Sequence, residues 1–380
     1  MNTTVPMETA RRNRYDGTSS LRGYTWGNNN AGGLGIGTVA RAMVPAAVTL
    51  PENTVDVQGG SDFTVALTST GQVWTWGGNR YGQLGNGSTI VRLTPQRVDL
   101  PSDVRLTSIS VGADHVLALT QNGSVYGWGR NAHGQLGDGT ATDRREPTKI
   151  NVGKVIQLAT GVASSHAVTS TGSLVSWGRA ITPATGTGTG LGAVDVTEPA
   201  QLSLPRGAKA AMVDAGQRHL VVLTRTGQLL TFGVDPGGRP LPASMPIESS
   251  WGRVTAISAG DNHTVALTGR GAVLTWGANY YGQLGTRDTT NRTTPVRVRI
   301  PNLRGHIVEV VAGGDFVVAR SSAHQVFTWG QGRFGQNGNN KVDDLTRPHP
   351  VSIPHRPNLT GIYTGRYHQL VLTDQIVHHS

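Results

Sequence analysis

The chain has no cysteine, which excludes disulfide scaffolds, thiolate metal sites and cysteine nucleophiles. Charge is scarce: 15% of residues, against about 25% in ordinary globular usage. Lysine is nearly missing, with Lys149, Lys154, Lys209 and Lys341 the only four. No apolar run reaches the roughly 18 residues a membrane-spanning helix needs, so no membrane contact is expected. The first residues carry Arg11, Arg12 and Arg14 but no apolar core of a signal peptide. A cytoplasmic location is therefore expected, with secretion left open for a chain whose leader has been removed.

Glycine is what the chain has in excess, 52 of 380 residues. These glycines follow no three-residue period, which excludes collagen. Net charge is +10, carried almost wholly by arginines in no block of five or more. Dispersed arginine reads as solubility, with an anionic partner as the alternative. The bias of arginine over lysine suggests a bacterial source with a GC-rich genome.

A repeat dominates everything else. Trp-Gly or Phe-Gly recurs at Trp26, Trp76, Trp128, Trp177, Phe232, Trp276 and Trp329, at intervals of 44 to 55 residues. Seven copies at a near-constant period mean one supersecondary unit repeated, and not several independent domains. Within a unit, Phe63-Thr64-Val65-Ala66-Leu67 alternates as a half-buried strand does. Thr68-Ser69-Thr70-Gly71 turns the chain, and Gln72-Val73-Trp74-Thr75-Trp76 returns it. The turn glycine recurs as Gly123, Gly172, Gly227 and Gly271, with His324 in the sixth copy.

A glycine-rich loop then precedes Pro95-Gln96-Arg97-Val98-Asp99-Leu100-Pro101, a short strand bracketed by prolines that suits an outer edge. Leu106 to Val111 supplies a fourth apolar stretch. Four short strands in each of seven units predict an all-β, seven-bladed β-propeller of four-stranded antiparallel blades. The chain begins with a returning strand, Leu21 to Gly27, and ends with an outgoing one, His368 to Thr373. Pairing of these N- and C-terminal strands would close the ring. The expected organisation is a basic N-terminal tail over 1–20, the propeller over 21–375 and a short tail over 376–380, in a monomer.

Tyr81-Gly82-Gln83-Leu84-Gly85, Tyr281-Gly282-Gln283-Leu284-Gly285, the Trp-Gly strand ends and Gly112-Ala113-Asp114-His115 resemble the regulator of chromosome condensation repeat family. The resemblance covers about residues 20–375 and fades in the loops 181–196 and 234–248. It implies a seven-bladed propeller and leaves function open, because propellers host unrelated tasks. Light-sensing members carry tryptophans at the channel mouth, where this sequence has none. Asp114 before His115 matches a position that matters in nucleotide-exchange members. The protruding wedge those members use has no counterpart insertion here, so exchange is not expected.

Repetition separates structural from functional candidates. A tryptophan in nearly every unit reads as inter-blade packing. Trp251 breaks the pattern and is a candidate surface anchor. His115, His219, His263 and His368 share one register with Phe63, Ser164 and Phe316, so they read as packed positions with a hydrogen bond. No metal and no cofactor are expected, and no catalytic residue is assigned. Two residues before that register vary from unit to unit: Ser61-Asp62, Ala113-Asp114, Val162-Ala163, Gln217-Arg218, Asp261-Asn262, Gly314-Asp315 and Arg366-Tyr367. A propeller gathers these pairs at one mouth of its channel, a natural binding surface.

The expectation is a non-enzymatic module that binds a protein partner there. Arg218, Arg366 and Tyr367 are the leading contacts; Asp62, Asp114, Asp261, Asp315, Gln217 and Asn262 would set specificity. Binding of DNA or another nucleic acid through the arginines, and an enzyme pocket in the channel, are the alternatives.

Overall fold

The computed structural model describes residues 22–374, apart from 180–194, 236, 240, 242, 356 and 357. Arg11, Arg12 and Arg14, His378-His379 and most of the loop 181–196 fall outside the described residues. Within them, 28 strands form seven four-stranded antiparallel sheets. Blade 1 comprises β3 (Thr54–Gly59), β4 (Phe63–Thr68), β5 (Val73–Gly77) and β6 (Arg92–Arg97), from the channel outward. Five further blades follow in sequence order around the ring.

Blade 7 is composite. It joins β27 (Leu359–Thr364) and β28 (His368–Thr373) to β1 (Arg22–Gly27) and β2 (Ala42–Val48). Arg22 pairs with Thr373 and Gly27 with His368, so the chain's two ends close the ring. Hairpin turns carry the expected glycines at positive φ, and His324 takes the same conformation at φ 59°.

Two local expectations are corrected. The second strand of each blade is not half-buried: all six residues of β4 are buried. It lies between two strands of its own sheet and is covered on both faces by neighbouring blades. The outer strand β6 begins at Arg92, three residues before Pro95, and so contains the proline. An edge strand tolerates this because the missing N–H would point away from the sheet.

The tryptophans hold blade to blade through polar as well as apolar contact. The indole N–H of Trp76 donates to Gly33 O, Trp128 to Gln83 O, Trp177 to Gln135 O, Trp329 to Gln283 O and Trp26 to Gln336 O, all at 2.9–3.0 Å. Each acceptor lies in the glycine-rich loop of the preceding blade. A side chain at Gly85 would come within 2.8 Å of the Trp128 indole nitrogen, and its φ of +66° also favours glycine. Phe232 replaces tryptophan in the blade that follows the degenerate loop 181–196, where the Gly-Gln-Leu-Gly sequence is lost.

Candidate interaction site at the channel mouth

The innermost strands β3, β7 (Leu106–Val111), β11 (Val155–Thr160), β15 (Ala210–Ala215), β19 (Val254–Ala259), β23 (Ile307–Ala312) and β27 line a channel of about 270 Å³. Its polar lining is spent on joining blades. Gln58 Nε2 donates to Ile109 O, and Gln157 Nε2 to Val213 O. Ser110 and Thr160 hydroxyls meet at 2.9 Å. Burial pushes the Asp214 carboxyl up to about 6, yet its oxygens accept the N–H groups of Ala215 and Ala259.

The variable pairs connect these strands to the second strands at one mouth. Backbone hydrogen bonds link neighbouring pairs over most of the mouth: Gln217 N–H to Asp261 O, Asp261 to Gly314, Gly314 to Arg366, Arg366 to Gly60 and Ser61 to Ala113. From blade 4 round to blade 2 the side chains of the mouth therefore stand on backbone pinned to the next blade.

Arg366 and Asp261 form its centre. Nε and Nη2 of Arg366 lie 2.7 and 2.6 Å from Asp261 Oδ2, across a full blade, because Arg366 belongs to blade 7 and Asp261 to blade 5. The intervening blade presents Gly314, where a Cβ would stand 2.7 Å from Arg366 O and 2.9 Å from its Cγ. Only glycine lets the strap pass. Burial disfavours the Arg366 charge, but Asp261 outweighs it and holds the guanidinium more firmly protonated than usual. The same guanidinium lies 5.3 Å from the Tyr367 ring, which packs edge-on against Phe334.

The four aspartates are turned inward. Asp62 accepts from Asn28 Nδ2, Asp315 from Gln283 Nε2, and Asp114 from Arg130, whose guanidinium also covers Tyr81. Burial first, and the nearby Asp261 second, push Asp315 up to about 6. Burial also raises Asp62, Asp114 and Asp261. Gln217, Arg218 and Asn262, in contrast, have no side-chain partner among the described residues, and Gln217 is exposed. The fourteen residues thus divide into an internally bonded set around Arg366 and a free set around Arg218.

Sequence reasoning missed the second layer: Asn28, Arg130, Gln283 and Phe334 contact the mouth from the outer loops, and Tyr81 packs against Arg130 behind them. The signal was present, because Tyr81, His133, Tyr281 and Phe334 occupy one position before each loop's glycine. Trp251, a candidate surface anchor, packs against the core of Met212, Leu274 and Trp276 and keeps part of its surface open to solvent.

The register histidines are inter-blade struts. His115 Nε2 meets Ser165 Oγ at 3.0 Å, His219 meets Thr264 at 3.0 Å and His368 meets Thr64 at 2.8 Å, each on the next blade. Ser165 and Thr64 donate onward to Gln135 O and Gly33 O. His263 departs from the pattern: the equivalent position is Val317, and neither ring nitrogen has a well-formed partner. No cluster of three or more metal-ligating side chains occurs among the described residues.

The profile of the regulator of chromosome condensation (RCC1) repeat matches residues 22–67, 70–119, 122–168 and 270–320, together half of the chain. The ultraviolet-B receptor UVR8 of Arabidopsis thaliana is 32% identical over 346 residues, covering 85% of this chain and 76% of the receptor. A mitochondrial RCC1 domain-containing protein of the same plant, RUG3, is 32% identical over 42% of this chain and 34% of its own length. Human WBSCR16 superposes with a TM-score of 0.81 at 23% identity, covering 94% of this chain and all of that one. Yeast RCC1 (Prp20), solved bound to Kap60, gives 0.83 at 18% identity, covering all of this chain and 94% of that one. These relatives are plant, human and yeast proteins, so the bacterial source suggested by composition is not borne out. With its seven closed blades and its matched repeats, the chain belongs to the regulator of chromosome condensation repeat family.

Proposed function

We propose that the protein is a non-enzymatic interaction module that holds a protein partner on the channel-mouth face. One observation carries this reading. The side chains of Gln217 and Arg218 have no partner among the described residues, and the backbone of Gln217 is bonded to that of Asp261, beside a cluster of Arg366, Asp261, Tyr367 and Phe334. An arginine and a tyrosine on a preorganised frame are the residue types that dominate binding energy in protein interfaces. Similar propellers are described in such roles: Prp20 was solved bound to Kap60, and its binding to Gsp1p and histones is recorded.

In this reading Arg218 and Gln217 make direct contacts. Arg366, a quarter exposed, and Tyr367 present a prebuilt edge, and the aspartates shape the site from beneath. A pull-down from nuclease-treated lysate of the source organism, read by mass spectrometry, tests it with wild type beside a Gln217→Ala/Arg218→Ala variant. These side chains hold nothing in place, so the fold is expected to survive. A specific partner should weaken by about 2 kcal/mol, roughly thirtyfold, when the main contact is truncated. A partner retained equally by both proteins would place its site elsewhere.

A further inference from the structure

Some of the cations that look dispersed in sequence share one face of the ring. Each blade's turn between second and third strands, and each connection between blades, lies on the face opposite the channel mouth. Arg105, Lys154, Lys209 and Arg253 each immediately precede the innermost strand of consecutive blades, 2 to 5. Equivalent register in a propeller means equal height along the channel axis, so these cations stand at one level. Arg225 and Arg270, in the turns of blades 4 and 5, and Arg206, in the connection to blade 4, join them.

All seven are exposed, and none has an acidic partner among the described residues. Within blades 3 to 5 the turns and connections of this face offer six cations and one carboxylate, Glu248. Two of the guanidinium groups are tethered: Arg253 Nη2 donates to Arg225 O at 3.2 Å, and Arg270 Nη1 to Ser250 O at 3.0 Å. Half-buried Trp251 lies among them, between Ser250 and Arg253, and Ile156, next but one to Lys154, is 45% exposed.

We propose that this face docks peripherally on an anionic membrane surface through Lys154, Arg206, Lys209, Arg225, Arg253 and Arg270, with Trp251 at the headgroup level. A level array of cations matches a plane of negative headgroups. Each adds to the attraction within a Debye length, and tryptophan favours the interfacial zone. An acidic peptide would need an apolar groove or a free strand edge for register, and this face offers turns and connections. A nucleic-acid duplex is a rod that touches a strip, and its recognition gains nothing from Trp251 and Ile156. The expectation of no membrane contact rested on the lack of apolar runs, which a charged surface does not need.

The test is co-sedimentation of the full chain with phosphatidylcholine vesicles, alone or with about one third phosphatidylglycerol, at about 0.1 M salt. The protein should sediment with the anionic vesicles alone and be released near 1 M salt, where the Debye length falls to about 3 Å. Each cation removed should lower partitioning about fivefold, so Lys154→Glu/Arg225→Glu/Arg253→Glu/Arg270→Glu should lower it at least a hundredfold. Lys154→Ala/Lys209→Ala, which disturbs no hydrogen bond, should lower it about twenty-fold and serves if the fourfold variant misfolds. Equal binding to neutral vesicles, no binding to anionic ones, or tighter binding to a duplex DNA fragment than to vesicles overturns the proposal.

Discussion

His263 offers the sharpest test of how this ring is held together. It is 1% exposed, its ring nitrogens lack well-formed partners, and the backbone of Phe316 is the only polar group acting on it besides the neighbouring His219. Three equivalent histidines meet a hydroxyl on the next blade; His263 meets Val317. The ring already contains the alternative solution, because Phe63 occupies the same register and shares a core cluster with Val116. His263→Phe should therefore stabilise the protein. Leaving a buried polar group unpaired costs about 1–3 kcal/mol, and the larger ring returns part of that as strain. A net gain of about 1–2 kcal/mol is expected at neutral pH.

The same substitution changes the pH response in a defined direction. Burial holds the His263 pKa down to about 3, whereas the unfolded chain protonates it near 6.5. Its contribution is present above the unfolded value and is lost as pH falls, at about 1.4 kcal/mol per pH unit. Phenylalanine removes that slope. Urea unfolding, read as the midpoint at constant m-value, checks both effects. Val317→Thr, which supplies the missing hydroxyl, should also stabilise. If His263→Phe destabilises as much as His219→Phe, which strands the Thr264 hydroxyl, the strut account is wrong.

Three further outcomes follow from the same geometry. Thr64→Val removes the group that joins His368 to Gly33 O, and should cost about 2–3 kcal/mol in urea unfolding; a loss below about 0.5 would mean that the relay contributes nothing. Gly314→Ala drives a methyl group into Arg366, and should cost about 1–3 kcal/mol while weakening whatever binds the mouth; an unchanged midpoint would show that the strap is slack. Acidification from pH 6 to 4 should destabilise the wild type by on the order of 2–4 kcal/mol per pH unit. Five buried histidines, held to about 3 or 4, outweigh Asp214 and Asp315, raised to about 6, and Asp62, Asp114 and Asp261, also raised by burial; these carboxyls favour the folded state at low pH and lose that contribution as pH rises. Midpoints that stay constant across that range would contradict it.

The architecture was legible because a propeller writes itself as a period. Seven copies of Trp-Gly or Phe-Gly at near-equal intervals, four short strands per unit and half-hairpins at both ends fix the blade number and the closure, since each follows from local pattern repeated. The structural role of the tryptophans and most histidines was legible too, because a side chain demanded in every blade answers a contact every blade makes. That five of these tryptophans also donate to the glycine-rich loop of the preceding blade could be seen only in space.

What the fold alone decided is which residues meet. Arg366 and Asp261 lie 105 positions apart, and no local rule links them; the ring carries one over Gly314 to the other. The aspartates that looked like a specificity surface are held by Asn28, Arg130 and Gln283, leaving Gln217 and Arg218 without side-chain partners among the described residues. Lys154, Lys209 and Arg253 stand some fifty residues apart in the chain. They become neighbours only when blades are stacked around an axis, because charge has no period a linear reading detects until register along the channel turns sequence spacing into height.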